Sequence, residues 1–567
     1  MSLPLSSTQR FEERSPGASA GSPRANSIQS GTTRRPAWIT PVGGYTGRMK
    51  WSTVTGLGAA ALGGVAAHDL LQRKHALLRN YPLVGHLRYQ VERFGPELRQ
   101  YVVAANDEER PFSRDQRRWV YASSKLENSY FGFGTDNDVE NTEGYPVIKH
   151  RTFAGPAAHT KRHVEEAVPI PSAKVLGGPR GRRQAFRPAS VVNVSAMSFG
   201  SLSRHAVEAL NRGAALAGCL HNTGEGGLSR YHRNGGELTF QIGTAYFGCR
   251  DEHGHFDLRR LKDLVASAPV RAIEIKLSQG AKPGLGGMLP GPKVTQEIAD
   301  IRGIEPGVDC ASPSRHEVFS DADSMLDFVE LIAAETGLPV GIKAAVGNLE
   351  FWDTLVAAMA EDRRRAVDFV TVDGGEGGTG AAPMIFADAV AYPFRLGFAE
   401  VYRRFKLADL ADDVTFIGAG KLGLTENAIT AFALGVDMVN VAREAMMAIG
   451  CIQAMKCHTD TCPTGVATQN AWLTRGLDPA LKSVRAANYI VSLRRDLLKV
   501  SEAVGVSHPG LITPADVDLL DGVRSATPLA ELYRYDEGWG ALCPDQAEQI
   551  HAMMTAALPE EESPPTD

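Results

Sequence analysis

The sequence predicts a (β/α)8 barrel, with a helical and irregular cap before it and a cysteine-containing loop after its eighth strand. From about residue 171 onward, eight short runs rich in β-branched residues each end in glycine or a polar residue. Amphipathic segments such as 323–335 and 426–435 lie between the runs. Strands and helices that alternate in this number are typical of a closed parallel barrel, and a doubly wound open sheet is the alternative.

The composition is that of an ordinary globular protein. Of the 567 residues, 43% are hydrophobic and 22% are charged. A formal net charge of −5 gives no reason to expect a nucleic-acid partner. The seven cysteines do not form the pattern of a disulfide framework, so we expect a reducing compartment and predict a cytoplasmic location.

Two segments precede the predicted barrel. Residues 1–49 are rich in Ser, Gly, Pro and Arg, and we predict a disordered extension. Residues 50–160 are predicted to form the cap. Within the cap, 54–67 is an apolar run shorter than the roughly 20 residues that a membrane-spanning helix needs. A buried or surface-docked helix is favoured, and membrane association through residues 51–67 stays open as the alternative.

Residues 161–510 are predicted to contain the barrel, and 511–567 a C-terminal tail. A helix is predicted over 485–506 and another near 546–557, before an acidic, proline-rich end that should be disordered. The eight strand candidates are 191–201, 220–227, 238–243, 271–280, 339–347, 368–380, 414–423 and 436–444. In a barrel, their carboxyl ends form the face that carries the active site.

Three cysteines lie close together after the last predicted strand, within 451–462. Cys451, Cys457 and Cys462 have the spacing C-x5-C-x4-C, and a proline follows the third. Thiolates followed by proline are typical of iron–sulfur ligation, and three ligands suit a cluster with three irons. The alternatives are buried thiols, or a zinc site that includes His458, although the paired C-x2-4-C spacing common in zinc sites is absent.

Three segments lie at the ends of the last three predicted strands: 373–381 and 418–423, which are glycine-rich, and 440–444. Backbone N–H groups in such turns bind phosphate well, and the usual phosphate site of a barrel lies after strands seven and eight. These segments therefore predict a phosphorylated cofactor. The alternative is that the glycines only make tight turns.

Charged and amide side chains occur within or just after the predicted strands. Lys343 lies in a strand, where a cation could stabilise the negative charge of a reduced flavin. Lys276 has a similar position, and Glu274 is available as its partner. Gln241 could hydrogen-bond a flavin ring edge. Glu225 and Lys282 lie in loops at the same mouth.

A cation and a carboxylate at one mouth suit a small dicarboxylate or an amino acid. Taken one at a time, such residues are more often solvated surface charges.

With these residues assembled, the chain resembles the FMN-binding synthase domain of glutamate synthases, in a short form without the glutaminase domain. The resemblance covers about residues 145–510. It depends on motifs that occur in one order: SAMSFGS (195–201), NTGEGG (222–227), SQGAKPG (278–284), LPG (289–291), GGTGA (377–381) and CPTGVATQ (462–469). It implies an FMN-containing (β/α)8 barrel and a 3Fe–4S cluster on Cys451, Cys457 and Cys462.

The resemblance also implies site residues and a reaction. The 2-oxoglutarate or iminoglutarate site would use Glu225 and Lys282. Electrons would enter through the cluster, and the flavin would pass a hydride to the α-carbon of 2-iminoglutarate, giving L-glutamate. A ferredoxin or a reductase subunit is the expected electron donor. The implied FMN contacts are Ser195, Ala196, Met197, Ser198, Gln241, Lys343, Gly375, Gly377, Gly378 and Gly420.

Two departures from the family pattern bear on this prediction. No cysteine precedes Cys219, so we expect no glutaminase nucleophile in this chain and expect ammonia to come from a separate amidotransferase subunit. Where the family has KPGEGGQ, this chain has KPGLGGM, with Leu285 and Met288. Two alternatives follow: a related flavin oxidoreductase for another amino or oxo acid or an N-alkylated glutamate, and a non-catalytic electron-transfer subunit.

Overall fold

A computed structural model describes residues 51–72, 74–128, 130, 132–154 and 169–556. The chain divides into two compact units, one ending at Phe94 and the other starting at Gly95. The predicted disordered extension, 1–49, and the acidic end of the chain lie outside the described residues.

The second unit contains a closed barrel of eight parallel strands, numbered β1 to β8 in chain order. The last strand pairs with the first through Val439 and Val192, so the sheet has no open edge. Each predicted run coincides with one of these strands to within a residue at its start, or contains it, which confirms the barrel and excludes the doubly wound sheet. The strands are β1 Val192–Val194, β2 His221–Asn222, β3 Leu238–Ile242, β4 Val270–Lys276, β5 Val340–Ala344, β6 Phe369–Asp373, β7 Thr415–Ala419 and β8 Met438–Val441.

Helices follow most of the barrel strands, as the alternating pattern predicts. One connection differs, because β2 is joined to β3 through the short 3-10 turn Arg230–His232 instead of an α-helix. The helices of the second unit are Arg114–Lys125, Arg204–Ala217, Leu258–Ala266, Gln296–Arg302, Ala322–Thr336, Glu350–Glu361, Met384–Ala389, Phe394–Leu407, Thr425–Ala433, Arg443–Ala448, Ala471–Thr474, Pro479–Val504, Leu529–Leu532 and Pro544–Ala556.

Local sequence signals set the ends of several helices. Ser203, Asp321 and Asp478 are N-caps whose side chains accept hydrogen bonds from backbone N–H groups of the first turn. Gly218 and Gly337 are C-caps with φ values of 62° and 77°, which glycine adopts without strain.

The long helix Pro479–Val504 packs on the outside of the barrel beside its first strand. It packs against Arg204–Ala217, where a Cβ on Gly213 would lie 2.6 Å from Ala486 Cβ. A side chain at residue 213 would therefore push the two helices apart. Helix Arg114–Lys125, from the predicted cap, packs on the same long helix.

Short strands outside the barrel tie the ends of the second unit together. Pro146–Ile148 pairs with Val517–Leu520, which also pairs with Ala526–Pro528, in an antiparallel sheet. A second small sheet joins Met288–Leu289 to Cys310–Ala311.

Three helices lie before or across the boundary between the units: Trp51–Leu71, Ala76–Asn80 and Gly85–Leu98, which continues into the π-helical turn Arg99–Val103. The apolar run 54–67 falls within the first of them. Neither that helix nor any other described one has the length and apolar character that spanning a bilayer demands.

Candidate active site

The carboxyl ends of the barrel strands bring several predicted residues to one mouth. Glu225 follows β2, Lys276 ends β4, Lys343 lies in β5, and Asp373 ends β6. Their side chains are 18% exposed or less. Charges that are shielded from water in this way interact more strongly than charges at an open surface.

The first ion pair at this mouth joins Glu225 and Lys276. Lys276 Nζ donates to Glu225 Oε1 at 2.5 Å and to Gln279 Oε1 at 2.7 Å. Burial acts to raise the pKa of Glu225, but the Lys276 ammonium and the other nearby cations outweigh it, so the net pKa lies below the usual value. Glu225 is therefore a fixed negative charge. The prediction that Glu274 pairs with Lys276 was wrong, because Lys276 pairs with Glu225 instead.

Lys282 is a second cation of the mouth and is 4% exposed. Its pKa is lowered to about 8, because burial and then the like charge of Lys276 lower it and Glu225 opposes them only in part. Lys282 is therefore mainly protonated at neutral pH and loses its charge under mildly alkaline conditions. The predicted cation and carboxylate do lie at one mouth, close enough to influence each other.

The second ion pair joins Lys343 Nζ to Asp373 Oδ2 at 3.3 Å. Burial acts to lower the pKa of Lys343, but Asp373 and then Glu274 raise it above its usual value, so the lysine stays charged. Asp373 Oδ2 also accepts from Gly280 N at 3.2 Å. A Cβ on Gly280 would lie 1.7 Å from Gly374 O, so the loops after β4 and β6 meet only because residue 280 is glycine.

Glu274 lies in the barrel interior, 1% exposed, and binds three neighbours. Its carboxylate accepts from Asn222 Nδ2 at 2.8 Å, Gln241 Nε2 at 2.7 Å and Thr371 Oγ1 at 2.6 Å. The amide nitrogen of Gln241 is thus engaged with Glu274. A contact between Gln241 and a flavin stays a prediction.

Residues Ser195, Ala196, Met197 and Ser198 form the turn that leaves β1. Ser195 N donates to the carbonyl oxygen of Val441, the last residue of β8, at 2.9 Å. On the other side, a Cβ on Gly224, which has a φ of +67°, would lie 2.7 Å from Ser198 N. The turn therefore runs between the ends of β8 and β2, with its backbone close to both.

The glycine-rich loops after β6 and β7 also meet at the mouth. Gly420 has a φ of +117°, and a Cβ on it would lie 3.0 Å from Gly374 N. Gly375, Gly377 and Gly378 are partly or fully exposed in the loop after β6. A Cβ on Gly378 would lie 2.7 Å from Arg443 Cδ, so this glycine leaves room for the arginine.

Two cations at the glycine-rich loops were not singled out from the sequence. Lys421 Nζ lies 5.3 Å and Arg443 Cζ 5.0 Å from the ring centroid of Phe112, which is 1% exposed. A basic residue in two of the three predicted phosphate segments, 418–423 and 440–444, was the signal that could have identified Lys421 and Arg443. Phe112 gave no such signal, because it is about 300 residues away in sequence.

Arg302 is another residue that the motifs did not indicate. It is 6% exposed, and its Nη2 donates to Phe199 O at 3.3 Å. A Cβ on Gly226 would lie 2.9 Å from the same Nη2. Its buried Nε has no partner among the described residues, so the guanidinium keeps a free donor beneath the loop that carries Glu225.

These groups fit FMN. At one end, Lys421 and Arg443 supply the positive charge that a phosphate requires, beside a glycine turn at Gly420 where a Cβ would crowd the neighbouring backbone. At the other end, the buried cation of Lys343 suits the electron-rich edge of a flavin ring.

The three cysteines share one loop between helices Arg443–Ala448 and Ala471–Thr474. Cys462 is buried, whereas Cys451 and Cys457 are half-buried, and all three are free thiols. Burial raises the pKa of Cys451 to about 12, and the other two cysteines lie near enough to add to this increase.

No group of three His, Cys, Asp or Glu side chains within the described ranges is placed to hold a single metal ion, so the zinc alternative with His458 gains no support. An iron–sulfur cluster binds its cysteines through separate irons, so its thiolates need not converge on one point. Three thiols within one loop fit such a cluster, which stays a prediction.

A cleft of about 760 Å³ lies behind the mouth, between residues 244–255 and 304–320. His316 lines its inner wall, and His316 Nε2 lies 2.9 Å from Lys276 O. The cleft is thus separated from the Glu225–Lys276 pair by little more than one backbone segment.

Comparisons with known proteins show what this chain is similar to. Residues 173–507 match a family model described as a conserved region in glutamate synthase. The glutamate synthase large subunit-like protein YerD of Bacillus subtilis is 38% identical over 469 residues, 78% of this chain and 89% of that protein. The archaeal glutamate synthase (NADPH) of Archaeoglobus fulgidus is 36% identical over 55% of this chain and 58% of its own length. A mandelate oxidase with a monooxide FMN adduct has a TM-score of 0.35 at 14% identity, over 77% of this chain and 99% of that one.

Proposed function

This chain belongs to the glutamate synthase family and is a glutamate synthase-like oxidoreductase, and we propose that it uses FMN and an iron–sulfur cluster to reduce 2-iminoglutarate to L-glutamate. The imine forms from 2-oxoglutarate and ammonia. The observation that carries the proposal is the set of buried charges at the barrel mouth, where Lys282 and the Glu225–Lys276 pair lie near Lys343.

We assign the FMN phosphate to the glycine-rich loops, with Lys421 and Arg443 as its cations and Gly420 as the turn. The flavin ring would lie against the turn that leaves β1, at Ser195 to Ser198, and beside Lys343. FMN, when bound, supplies hydride transfer, and an external reductant such as a ferredoxin or a reductase subunit supplies the two electrons.

The charged residues of the mouth have separate roles in substrate binding. Lys282 would bind a carboxylate of the substrate. Glu225 would accept a hydrogen bond from the imine nitrogen and favour its protonated, positively charged form, which is the better hydride acceptor. Lys276 keeps Glu225 ionised and holds its carboxylate in place.

The cysteine loop would hold the 3Fe–4S cluster through Cys451, Cys457 and Cys462 and pass electrons toward the flavin. Ammonia would come from solution or from a separate amidotransferase subunit.

A direct assay tests the whole proposal. Full-length protein loaded with FMN and iron should form glutamate from 2-oxoglutarate and ammonia, with reduced ferredoxin or dithionite as reductant. An absorption spectrum with flavin bands and a broad iron–sulfur shoulder should precede this assay. Protein that shows both cofactors but forms no glutamate contradicts the substrate assignment, and protein without either spectrum contradicts the cofactor assignment.

Substrate binding should depend on the protonation of Lys282. Below pH about 8 its ammonium can bind a carboxylate, and above that value KM for 2-oxoglutarate should rise by about tenfold per pH unit while kcat changes little. Steady-state kinetics across this range measure the effect. In the variant Lys282→Arg the guanidinium stays charged, so the rise should disappear. A flat KM profile in the unmodified protein would rule out this role.

In a second candidate function the cofactors are the same, but the substrate is an acid other than 2-iminoglutarate. A Cβ on Gly287 would lie 2.7 Å from Glu225 Oε1, so segment 285–288 borders the side chain that we propose binds the imine nitrogen. This segment carries Leu285, which is half-buried, and Met288, which is 46% exposed. Apolar residues here favour another amino or oxo acid, or an N-alkylated glutamate.

The double variant Leu285→Glu, Met288→Gln tests this candidate. Restoring two polar groups should strengthen 2-oxoglutarate binding by about tenfold, equivalent to about 1.4 kcal/mol. Met384→Gln changes an exposed methionine at the start of helix Met384–Ala389, outside segment 285–288, and serves as the control. Binding that does not change in the double variant shows that these two residues do not set the substrate.

A further inference from the structure

Gln453, in the cysteine loop, binds the backbone of a segment more than 300 residues earlier. Its Oε1 accepts from Phe112 N at 3.2 Å. Its Nε2 donates to Phe112 O at 3.3 Å and to Glu109 Oε1 at 3.0 Å. The backbone of Gln453 also takes part, because its carbonyl accepts from Gln100 Nε2 at 2.8 Å. Gln453 is 7% exposed. Its backbone φ of 57° places it in a tight turn of the loop, which directs its side chain toward this segment.

The same segment holds the cysteine loop at its first thiol. Tyr121 Oη donates to Cys451 O at 2.8 Å, and Tyr101 Oη donates to Ile452 O at 2.8 Å. Gln453 N donates to Cys451 Sγ at 3.4 Å. The loop and residues 100–121 therefore form one hydrogen-bonded body.

Phe112 connects this body to the proposed phosphate site. Its ring lies within 5.3 Å of both Lys421 Nζ and Arg443 Cζ. Two cations this close repel each other, and the negative face of an aromatic ring attracts both. Phe112 thus holds the two cations together at the glycine-rich loops, and its own backbone is held by Gln453.

We propose that Gln453 and Phe112 form a positioning latch that couples the cysteine loop to the binding of the FMN phosphate. The inference rests on the proposed function, which places the phosphate at Lys421 and Arg443. An ordered cysteine loop holds the side chain of Gln453 in place. Gln453 in turn holds the backbone of Phe112, and the ring of Phe112 holds the side chains of Lys421 and Arg443 together. Coupling between two sites is reciprocal, so bound FMN in turn stabilises the cysteine loop.

The binding constants of two flavins distinguish this latch from a general structural role of the same residues. FMN carries the phosphate and riboflavin lacks it. In Gln453→Ala and in Phe112→Leu, the Kd for FMN should rise by about tenfold, whereas the Kd for riboflavin should stay within about twofold of the unmodified value. Flavin fluorescence quenching, with full-length protein stripped of flavin, measures both constants.

A double variant tests whether Gln453 acts through Phe112. In the Phe112→Leu background, Gln453→Ala should add no further loss of FMN affinity, because the route to the cations is already broken. Asn488→Ala is the matched control, since Asn488 Nδ2 donates to Ser124 O and joins helix Pro479–Val504 to helix Arg114–Lys125 through a side chain outside the proposed latch. Its flavin constants should match those of the unmodified protein.

The reciprocal effect gives an independent readout. FMN should slow the loss of iron to a chelator in the unmodified protein and should have no such effect in Gln453→Ala. Equal loss of FMN and riboflavin binding in the variants, or unchanged FMN binding in Gln453→Ala, overturns the latch and leaves the proposed function intact. Unmodified protein that binds neither flavin overturns the proposed function and the latch with it.

Discussion

Replacing Glu225 with glutamine should lower kcat/KM for 2-oxoglutarate and ammonia by about 10²- to 10³-fold, the range expected when a buried electrostatic contact to the reacting group is lost. The variant keeps the size of the side chain and removes its charge. The protonated imine then loses its anionic partner, and Lys276 loses the carboxylate that it contacts at 2.5 Å. Steady-state kinetics with dithionite as reductant measure the loss.

Two further variants separate chemistry from folding. Removing one member of a buried ion pair leaves the other charge uncompensated, so Glu225→Gln should also lower the melting temperature. Adding Lys276→Gln should restore much of that stability and none of the activity. Glu237→Gln is the control, because that carboxylate is 56% exposed and pairs with Arg271 outside the mouth. Near-normal turnover in Glu225→Gln, with FMN bound, would disprove the role of Glu225.

The barrel itself could be predicted from the sequence, because its strands are covered on both faces. Such strands appear as short apolar runs rather than as alternating patterns. In β6, Phe369–Asp373, and β7, Thr415–Ala419, every residue is buried. The absence of an α-helix between β2 and β3 could not be predicted in this way. Either a short turn or a helix can connect two neighbouring barrel strands without changing the strands themselves.

The partner of Lys276 shows where strand periodicity stops being informative. Residues 274 and 276 both point into the barrel, since side chains alternate along a strand. They are nevertheless about 7 Å apart along the strand axis, and so they belong to different layers. Glu274 lies in the layer of Asn222 and Thr371, whereas Lys276 reaches the loop above, where Glu225 lies.

Contacts between distant segments account for the rest of what the sequence did not reveal. The cysteine spacing correctly predicted that the thiols share one loop, but nothing in it indicated that residues 100–121 cover that loop. Phe112 resembles any apolar residue until folding places it between Lys421 and Arg443. Such residues become recognisable only when the barrel brings the ends of β7 and β8 together.

The second prediction with a large expected effect concerns a substitution in the cysteine loop. Cys457→Ser should remove most of the bound iron, from about three atoms per chain, and should abolish the electron paramagnetic resonance signal of the oxidised cluster. Turnover driven by ferredoxin should fall by about 10²-fold, as expected when a metal site loses a ligand. FMN should bind more weakly, because the loop that fixes Gln453 has lost its cluster, but saturating FMN should still fill the site through Lys343, Lys421 and Arg443.

The control for this variant is Cys543→Ser, at a half-buried cysteine close to the C-terminal helix and far along the chain from the loop. It should keep the iron, the signal and the activity. Dithionite, which is small enough to reduce the flavin directly, should still support part of the turnover in Cys457→Ser. Loss of activity with dithionite as well would show that the loop is needed to shape the mouth. Unchanged iron content would show that Cys457 is not a ligand, and the thiols of this loop would then be the buried structural thiols that their spacing also permits.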